Sequence, residues 1–591
     1  KMGCGITQPN ELPNESEILS KQQYSRVFSE GINLLQNQEP VKPQKIKQLE
    51  NESKNESKNV EKLIIQKEII RDVPLNEKIV VIIGCSHAGT IAATSLRNLE
   101  PNTKIIVFEK NKEIAFLQCG IHLAINRTCL DQSKMFYNSV ANLQSMNIEI
   151  HPQSQVDNID YELQLVNSFV NGQKKQFKFT SLIVASGSSP IIPPIISNLN
   201  YLKDVPAQVR NLKRILLCRS FTDSLKLASL PKVHKICIIG AGYIGLELAY
   251  AYSDIGAQVT VVDHSERILS KYFDKDYTDL LIEKCDEKQI EILNRSRVCK
   301  LEESLVDVTM VLEQQCGQDT KNIQMSFDYV ILSTGSRPNT KFLLENANGC
   351  KNHNGLLITN KSCCTSKKNI YAIGDCTVSP SLLLKSKVHI PLASIAIRQG
   401  LLVSWAVAGQ QLPYYGTNGT TAVQLFGYSM ASTGFQEVDA KQLFSNVSRT
   451  AYADYLYHKY CHKQIEKVVQ PQIFNKQFNA HGDLVRGLVD QVVESFDLDL
   501  DTQDNQIVSV SLVFDNKTLL LLGNQSMGKQ DITQQTNAIS LAITLGVTVD
   551  ELAQIDFGGQ CGEEKPWNVL TVAAASKDLE LVDFEGEGQE Q

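Results

Sequence analysis

The chain has 591 residues, a net charge of −7 and an isoelectric point of about 5.9, and 42% of its residues are apolar. This length exceeds a single hydrophobic core and predicts three or four domains, while the acidic balance argues against a nucleic-acid partner. No apolar run approaches the roughly 18–20 residues that cross a bilayer, and the N-terminus lacks the apolar stretch of a secretory signal, so we expect a cytoplasmic protein.

Residues 1–76 predict a polar extension, because they are rich in Asn, Glu, Gln, Lys and Ser and poor in aromatic residues. Such a segment cannot bury enough apolar surface to fold alone. One amphipathic helix within residues 59–71 is the exception that its apolar spacing allows. We therefore expect the extension to be largely disordered or to dock onto a larger assembly.

A short acylation pattern, MGCGIT, lies near the start of the chain. It makes Gly3 a candidate for myristoylation and Cys4 a candidate for palmitoylation. Two acyl chains would anchor the protein to a membrane surface, whereas one chain binds only marginally. Lys1 precedes the methionine, and if Lys1 is native then Gly3 is not N-terminal. The sequence leaves both alternatives open.

The first βαβ unit begins after the extension. An apolar, β-branched strand (Ile79–Ile83) leads into the glycine turn GCSHAG, an apolar helix and a second strand (Lys104–Phe108). A glycine turn at a helix N-terminus offers free N–H groups to a pyrophosphate, and an acid after the second strand accepts a hydrogen bond from a ribose hydroxyl. Ser86 stands where the pattern has its middle glycine. We predict an FAD site formed by Gly84, Ser86, His87, Ala88, Gly89, Glu109 and Lys110.

Two later segments support FAD binding. The strand LIVA ends in Ser186-Gly187, and the strand IYAI ends in Gly374-Asp375. A strand that delivers one carboxylate to a cofactor hydroxyl fits Asp375. We assign these four residues and Ala393 to the same FAD site.

The second βαβ unit carries a complete GxGxxG pattern. Strand Ile236–Ile239 leads into the turn GAGYIG, and Asp263 ends the next strand (Gln258–Val262). An acid at this position favours the free ribose hydroxyl of NADH and repels the 2′-phosphate of NADPH. We predict NADH as the second cofactor and assign to its site Gly240, Gly242, Tyr243, Ile244, Gly245, Glu247, Asp263 and Gly335.

Cys119 is the candidate redox residue among 15 cysteines, none of which has CxxC or zinc-finger spacing, so we expect no metal site. The CxxxxC motif of two-cysteine flavin reductases is incomplete, because Ala124 replaces the second cysteine. A lone thiolate beside a flavin can form a sulfenic acid and be reduced again. This chemistry requires a depressed thiol pKa, for which His87 is the candidate neighbour. The alternatives are a buried structural thiol at 119 and a histidine at 87 that meets only phosphate or solvent.

The motifs VIIGCSHAGT, FEKNKEIAFLQCGI, SGSSPIIPP, IIGAGYIGLE, STGSRPNT, IYAIGDC and IPLASIAIRQG resemble those of the water-forming NADH oxidases and NADH peroxidases. The resemblance is dense over residues 78–440 and returns at 531–533, 541–542 and 565–568. It implies an α/β fold with two Rossmann-like domains, for FAD and NAD, and a C-terminal α+β dimerisation domain. It also implies a homodimer in which hydride passes from NADH through FAD to O2 or peroxide, with Cys119 alternating between thiolate and sulfenic acid.

The domain limits that follow are 77–230 and 327–400 for the FAD-binding domain, 231–326 for the NAD-binding domain and 401–580 for the C-terminal domain. An insertion near 440–515 and an acidic tail at 581–591 depart from the family pattern. So does the segment 556–564, which reads DFGGQCGEE where the family has an aromatic-rich segment over the partner's flavin. If this segment still faces that flavin, Cys561 lies near the partner subunit's Cys119 and suits a disulfide or thiol substrate. The alternative is a surface loop with an idle thiol.

Three functions remain open from the sequence. The first is an NADH oxidase or peroxidase, and the second is a disulfide or coenzyme A-type reductase with another electron acceptor. The third is a catalytically weakened flavoprotein that serves in a larger assembly. Intact glycine turns, both acids and Cys119 favour the enzymes over the scaffold.

Overall fold

The computed structural model of the chain describes residues 77–197, 199, 205–230, 234–317, 319–343, 354–384, 386–410, 412, 414–444, 447–453, 508–558 and 568–575. All of these lie within one contact unit, Asn76–Gln591. The predicted extension, the candidate acylation sites Gly3 and Cys4, most of the insertion, Cys561 and the acidic tail lie outside the described residues.

The described strands form seven sheets, of which the largest are two parallel five-stranded sheets and a five-stranded C-terminal sheet. In chain order they are β1 (Ile79–Ile83), β2 (Lys104–Phe108), β3 (Glu149–His151), β4 (Val156–Asp160), β5 (Leu165–Val170), β6 (Gln173–Lys178), β7 (Ser181–Val184), β8 (Ser188–Pro190), β9 (Ile215–Leu217), β10 (Lys235–Ile239), β11 (Gln258–Val262), β12 (Glu291–Leu293), β13 (Ser296–Glu303), β14 (Val308–Cys316), β15 (Asp319–Phe327), β16 (Tyr329–Leu332), β17 (Ser336–Pro338), β18 (Ile370–Ala372), β19 (Ser379–Pro380), β20 (Lys387–Val388), β21 (Thr421–Leu425), β22 (Tyr428–Gly434), β23 (Val447–Ala453), β24 (Val508–Asp515) and β25 (Leu521–Gly528).

The described α-helices have between four and fifteen residues. In chain order they are α1 (His87–Leu99), α2 (Ile121–Ile125), α3 (Val140–Ser145), α4 (Val205–Arg210), α5 (Phe221–Ala228), α6 (Tyr243–Asp254), α7 (Lys275–Glu287), α8 (Ala393–Val407), α9 (Glu437–Leu443), α10 (Thr533–Leu545), α11 (Val549–Leu552) and α12 (Val569–Ala575). Within the part of the chain that the structure describes, none is long and apolar enough to cross a membrane.

The first sheet is parallel, with the order β18-β7-β1-β2-β3. Its central strand β1 is wholly buried, as a continuous β-branched run predicts for a strand covered on both faces. Helices α1 and α8 pack closely on one another, since a Cβ added at Gly400 would lie 2.7 Å from the carbonyl oxygen of Ala88. The predicted first βαβ unit is confirmed.

The second sheet is also parallel, with the order β12-β11-β10-β16-β9. It confirms the second predicted βαβ unit. Two of its strands, β9 and β16, lie outside residues 231–326, the limits predicted for the NAD-binding domain. The chain enters this sheet at β9, before those limits, and leaves it at β16, after them. An antiparallel meander, β13-β14-β15, is inserted before β16.

The C-terminal sheet is antiparallel, with the order β21-β22-β25-β24-β23, and α10 and α12 pack against it. It agrees with the predicted α+β character of this part of the chain. Strands β23 and β24 pair directly, with Ala453 opposite Ser509, so the chain leaves and re-enters the sheet at adjacent positions. The residues between them, 454–507, belong to the predicted insertion and lie outside the described residues.

Candidate active site

The first glycine turn joins β1 to α1 and leaves no room for a side chain at its first or last glycine. Gly84 has a φ of +100°, and a Cβ there would lie 2.2 Å from the carbonyl oxygen of Ala185. A Cβ on Gly89 would lie 1.9 Å from the carbonyl oxygen of Gly84. Ser86 precedes the helix but its side chain makes no capping hydrogen bond, so it leaves the first helical N–H groups available to an anion.

Glu109 closes this turn from the end of β2. Its buried carboxylate accepts hydrogen bonds from the backbone N–H of Cys85 (2.8 Å) and from the backbone and side chain of Asn111 (2.8 and 2.7 Å). The acid is therefore fixed beside the turn where we predict the ribose of FAD. Lys110, the next residue, is exposed.

The second turn repeats this arrangement. Asp263 accepts a hydrogen bond from the backbone N–H of Ala241 (2.6 Å), at the same place in the turn as Cys85. Gly240 has a φ of +112°, and a Cβ there would lie 2.5 Å from the carbonyl oxygen of Ser333. Gly242, by contrast, has open space within 4 Å of where its Cβ would be.

The residues of the two glycine turns fit two dinucleotides. The open space at Gly242 is a cradle that a Cβ would fill, at the position where the pattern brings the backbone against a pyrophosphate. In the first fold, Nδ1 of His87 is buried without a hydrogen-bond partner among the described residues. The first turn with Glu109 would hold FAD, and the second turn with Asp263 would hold NADH.

Asp375 lies in a polar cluster at the end of β18. Its carboxylate accepts hydrogen bonds from the Ser188 hydroxyl and the Arg219 guanidinium, both at 2.8 Å. The preceding Gly374 has a φ of +74° and donates its N–H to the Gln399 side chain at 2.7 Å. Ala393 begins α8, the helix that carries Gln399. This part of the predicted FAD site is thus fixed by elements from both halves of the first fold.

Ser186 and Gly187 follow β7 and are tied to the loop after β17. The Ser186 hydroxyl donates to the carbonyl oxygen of Asn339 (2.7 Å), and the Asn339 N–H donates to the carbonyl oxygen of Gly187 (2.9 Å). Gly187 and Gly335 have positive φ values of 62° and 90°. Both connections between the two folds therefore turn at glycines that we assign to cofactor sites.

Cys119 lies in a single 3₁₀ turn, Gln118–Gly120, directly before α2. It is exposed and is a free thiol. Desolvation raises its pKa, and the Glu247 carboxylate raises it further. The side chains around Cys119 therefore do not by themselves supply the depressed pKa that we predict for a redox thiol.

His87 begins α1 and stacks on the ring of Tyr137, with 5.5 Å between the ring centroids. Burial lowers its pKa, the Asp375 carboxylate opposes this effect and the Arg219 guanidinium adds to it. The imidazole is therefore neutral near pH 7. It can exchange a proton, but it does not provide the fixed positive charge that would stabilise a thiolate.

Helix α2 packs against α6, the helix that begins with Tyr243. Nδ1 of His122 lies 3.6 Å from Oε2 of Glu247, and both side chains are largely buried. Burial raises the pKa of Glu247 to about 8 and lowers that of His122. In the first turn of α6, Ile244 is exposed. Gly245, the next residue, has no room for a side chain, because a Cβ there would lie 1.8 Å from the carbonyl oxygen of Gly240.

Sequence reasoning missed four polar residues of these sites: His122, Arg219, Asn339 and Gln399. Arg219 had a weak signal, since it stands between a short apolar run and the capping box formed by Ser220 and Asp223. The other three contact residues far away in sequence, so their local sequence carries no signal.

Residues 78–400 match the family described as pyridine nucleotide-disulphide oxidoreductase. The chain is 31% identical, over 502 residues, to an NADH oxidase of Enterococcus faecalis, covering 84% of this chain and 98% of that protein. The structure of the water-forming NADH oxidase from Lactobacillus brevis, bound to NADH, is similar with a TM-score of 0.70 at 28% identity, covering 85% of this chain and 98% of that one. An NAD(P)H coenzyme A polysulfide/persulfide reductase of Pyrococcus horikoshii is 29% identical over 370 residues, which cover 62% of this chain and 78% of that protein.

Proposed function

Because the chain belongs to the pyridine nucleotide-disulphide oxidoreductase family and is an FAD-dependent NAD(P)H oxidoreductase, we propose that it oxidises NADH with O2 or peroxide as the acceptor and Cys119 as the redox thiol. The observation that carries this proposal is the position of Cys119. The residue is exposed in the 3₁₀ turn directly before α2, and α2 packs on the helix of the second glycine turn.

Each cofactor has a defined task in this proposal. FAD, when bound, accepts hydride from NADH and passes two electrons onward. The residues of the first turn, with Glu109, Ser186, Gly187 and Asp375, bind FAD, and those of the second turn, with Asp263, bind NADH. The acid at 263 favours NADH over NADPH.

In this proposal Cys119 is the nucleophile, and the His87 imidazole exchanges protons beside it. The Cys119 thiolate attacks one oxygen of hydrogen peroxide, the O–O bond breaks, and sulfenic acid and hydroxide result. A neutral imidazole can take up or release a proton as the hydroxide becomes water. Reduction by two electrons and uptake of a proton then return the sulfenic acid to the thiolate and water.

A disulfide or persulfide acceptor is the second candidate. It is favoured by the similarity to the Pyrococcus reductase and, if the segment 556–564 reaches the partner's flavin, by Cys561. Replacement of Cys561 by serine distinguishes the two candidates. Lower disulfide turnover with unchanged peroxide turnover supports the second, and unchanged turnover of both removes Cys561 from the chemistry.

A homodimer completes the proposal. Leu541 and Leu545 are 59% and 70% exposed on one face of α10, one helical turn apart, and apolar faces of this kind commonly mark subunit contacts.

We also propose acylation at Gly3 and Cys4. Fatty-acid labelling that disappears in Gly3→Ala supports it, and no label on the native protein contradicts it.

The first experiment adds NADH anaerobically to the purified flavoprotein, follows bleaching of the flavin, and then admits air. Bleaching followed by consumption of two NADH per O2, with no peroxide released, is the expected result. Cys119→Ser should bleach normally and then release peroxide. Bleaching without oxygen turnover would point to another acceptor, and no bleaching would contradict the proposed function and favour a structural role.

A further inference from the structure

Three titratable groups meet where the helix after Cys119 crosses the NADH-binding helix. His122 lies three residues beyond Cys119, within the first turn of α2. Its Nδ1 lies 3.6 Å from Oε2 of Glu247 on α6, and the two side chains are only 16% and 15% exposed. A small rotation of the imidazole ring brings this separation within hydrogen-bonding distance.

The histidine side of this pair has one unsatisfied nitrogen. Nδ1 of His122 is buried and has no hydrogen-bond partner among the described residues. The backbone of Cys119 lies beside the ring and favours its protonated form. An unsatisfied buried nitrogen beside a buried carboxyl is costly unless a proton lies between them, so the geometry favours one shared proton.

Both members of the pair act on Cys119. His122 contacts its backbone, and the Glu247 carboxylate, when ionised, opposes ionisation of the thiol. Two like charges in a poorly solvated site disfavour each other. The charge of Glu247 therefore acts on Cys119, and His122 is the side chain placed to exchange a proton with Glu247.

Within the described part of the chain, two other titratable groups interact with Glu247 and do not compete for this proton. They are the Cys218 thiol, which follows β9, and the Tyr243 hydroxyl, at the start of α6. Burial raises the pKa of both, so both stay neutral in the working range. Burial raises the pKa of Glu247 to about 8 and lowers that of His122, so the pair retains one proton at neutral pH.

We infer that His122 and Glu247 form a proton-sharing pair that controls the ionisation of Cys119, with His122 acting on the thiol through Glu247. The inference deepens the proposed function, on which it rests for the importance of the Cys119 thiolate. His122 is thus a positioning residue, whereas Glu247 is also assigned to the NADH site. While the pair keeps its proton, Cys119 faces a neutral neighbour, and when the proton is lost it faces a carboxylate.

The test measures the alkylation rate of Cys119 by iodoacetamide as a function of pH, in the flavin-loaded protein without NADH or an acceptor. Mass spectrometry of the peptide that contains Cys119 separates it from the other thiols, with exposed Cys299 as an internal reference. Only the thiolate reacts, so the pH profile reports its pKa. Because no turnover is needed, the result does not depend on whether O2, peroxide or a disulfide is the acceptor.

We expect opposite shifts from the two single variants. Glu247→Gln removes the carboxylate, so Cys119 should react about three- to tenfold faster near pH 8, in line with loss of one nearby like charge. His122→Gln removes the proton partner, so Glu247 ionises more readily and the reaction should slow by a similar factor. In Glu247→Gln, adding His122→Gln should have no further effect, because His122 acts through Glu247.

His151→Gln is the matched control. His151 pairs with Glu149 at 2.8 Å on β3, at the far edge of the first sheet, and should leave the profile unchanged. Equal effects of His122→Gln with and without Glu247 would overturn the proposed coupling. If Glu247→Gln does not retain flavin, the comparison of His122→Gln with the control His151→Gln decides. A His122→Gln profile identical to that of the native protein would then overturn the inference.

Discussion

Gly240 and Gly242 stand two residues apart in the second turn, but different causes require glycine at each. Gly240 has a positive φ, and a Cβ there would meet the backbone of Ser333. Gly242 has an ordinary extended conformation (φ −81°, ψ −174°) and open space at its Cβ position. The first requirement belongs to the fold and the second, by our assignment, to the cofactor.

Alanine substitutions should separate these two requirements. Gly240→Ala should lower the free energy of unfolding by about 1–3 kcal/mol, because a side chain must adopt a disfavoured φ. Gly242→Ala should change that free energy by less than about 1 kcal/mol, yet raise the Kd for NADH at least about tenfold by occupying the pyrophosphate cradle. Urea unfolding and NADH titration measure the two quantities, and an unchanged Kd in Gly242→Ala would contradict the assignment.

The buried histidine at the first turn predicts how stability depends on pH. Burial lowers the pKa of His87 below its value in the unfolded chain, which is about 6.5. The stabilisation is therefore complete above that pH and is lost as the pH falls through it. We expect the free energy of urea unfolding to fall between about pH 7 and pH 5, and to fall less steeply in His87→Gln. If the unfolding free energy of His87→Gln fell with pH as steeply as that of the native protein, His87 would not be the buried group responsible.

At the scale of elements, α7 is fixed to the C-terminal sheet through its first turn. Asp274, which precedes α7 and is 3% exposed, accepts hydrogen bonds from the Gln525 side chain and the Glu437 N–H, and donates its own N–H to Gln525. The Tyr277 hydroxyl donates to the carbonyl oxygen of Gln525, and its oxygen lies within hydrogen-bonding distance of the Ser511 hydroxyl. One glutamine of β25 thus links the second nucleotide-binding fold to the C-terminal sheet.

Gln525→Met should remove this link while conserving volume. The buried Asp274 carboxylate would lose a donor, which costs about 1–3 kcal/mol of unfolding free energy. Asp279→Asn is the control, since its ion pair with Lys275 on the same helix is exposed and lies one turn away. We expect thermal unfolding to shift downward only in the first variant, and equal shifts would contradict the proposed role of Gln525.

Some of the secondary-structure elements could be predicted from the local sequence, and others could not. The strands β1, β2 and β11 follow from apolar runs bounded by glycine turns, because both faces of a parallel strand are buried. Strand β9 has three residues and pairs with β16, more than 100 residues later, so no local pattern announces it. His122 was missed for this reason, because its partner Glu247 is close only in the folded chain. The weak local signal at Arg219 likewise gives no indication of its partner Asp375.

At the scale of the whole molecule, both glycine turns and Asp375 lie within residues 78–400, which match the family. We therefore predict that a variant without residues 1–76 keeps its flavin and is reduced by NADH as fast as the full chain. The measurements are the flavin-to-protein absorbance ratio and the rate of anaerobic bleaching. Loss of flavin would show that the extension belongs to the cofactor-binding fold.

The direct pairing of β23 and β24 has a consequence for how this protein can change in length. Since Ala453 and Ser509 face each other across the ladder, the sheet itself brings the two ends of the connection together. Closing a connection costs free energy that rises only with the logarithm of its length, about 0.6 kcal/mol for each doubling. This hairpin end is therefore a place where evolution can add or remove tens of residues, and where a reporter domain can be inserted, while the register of the C-terminal sheet is preserved.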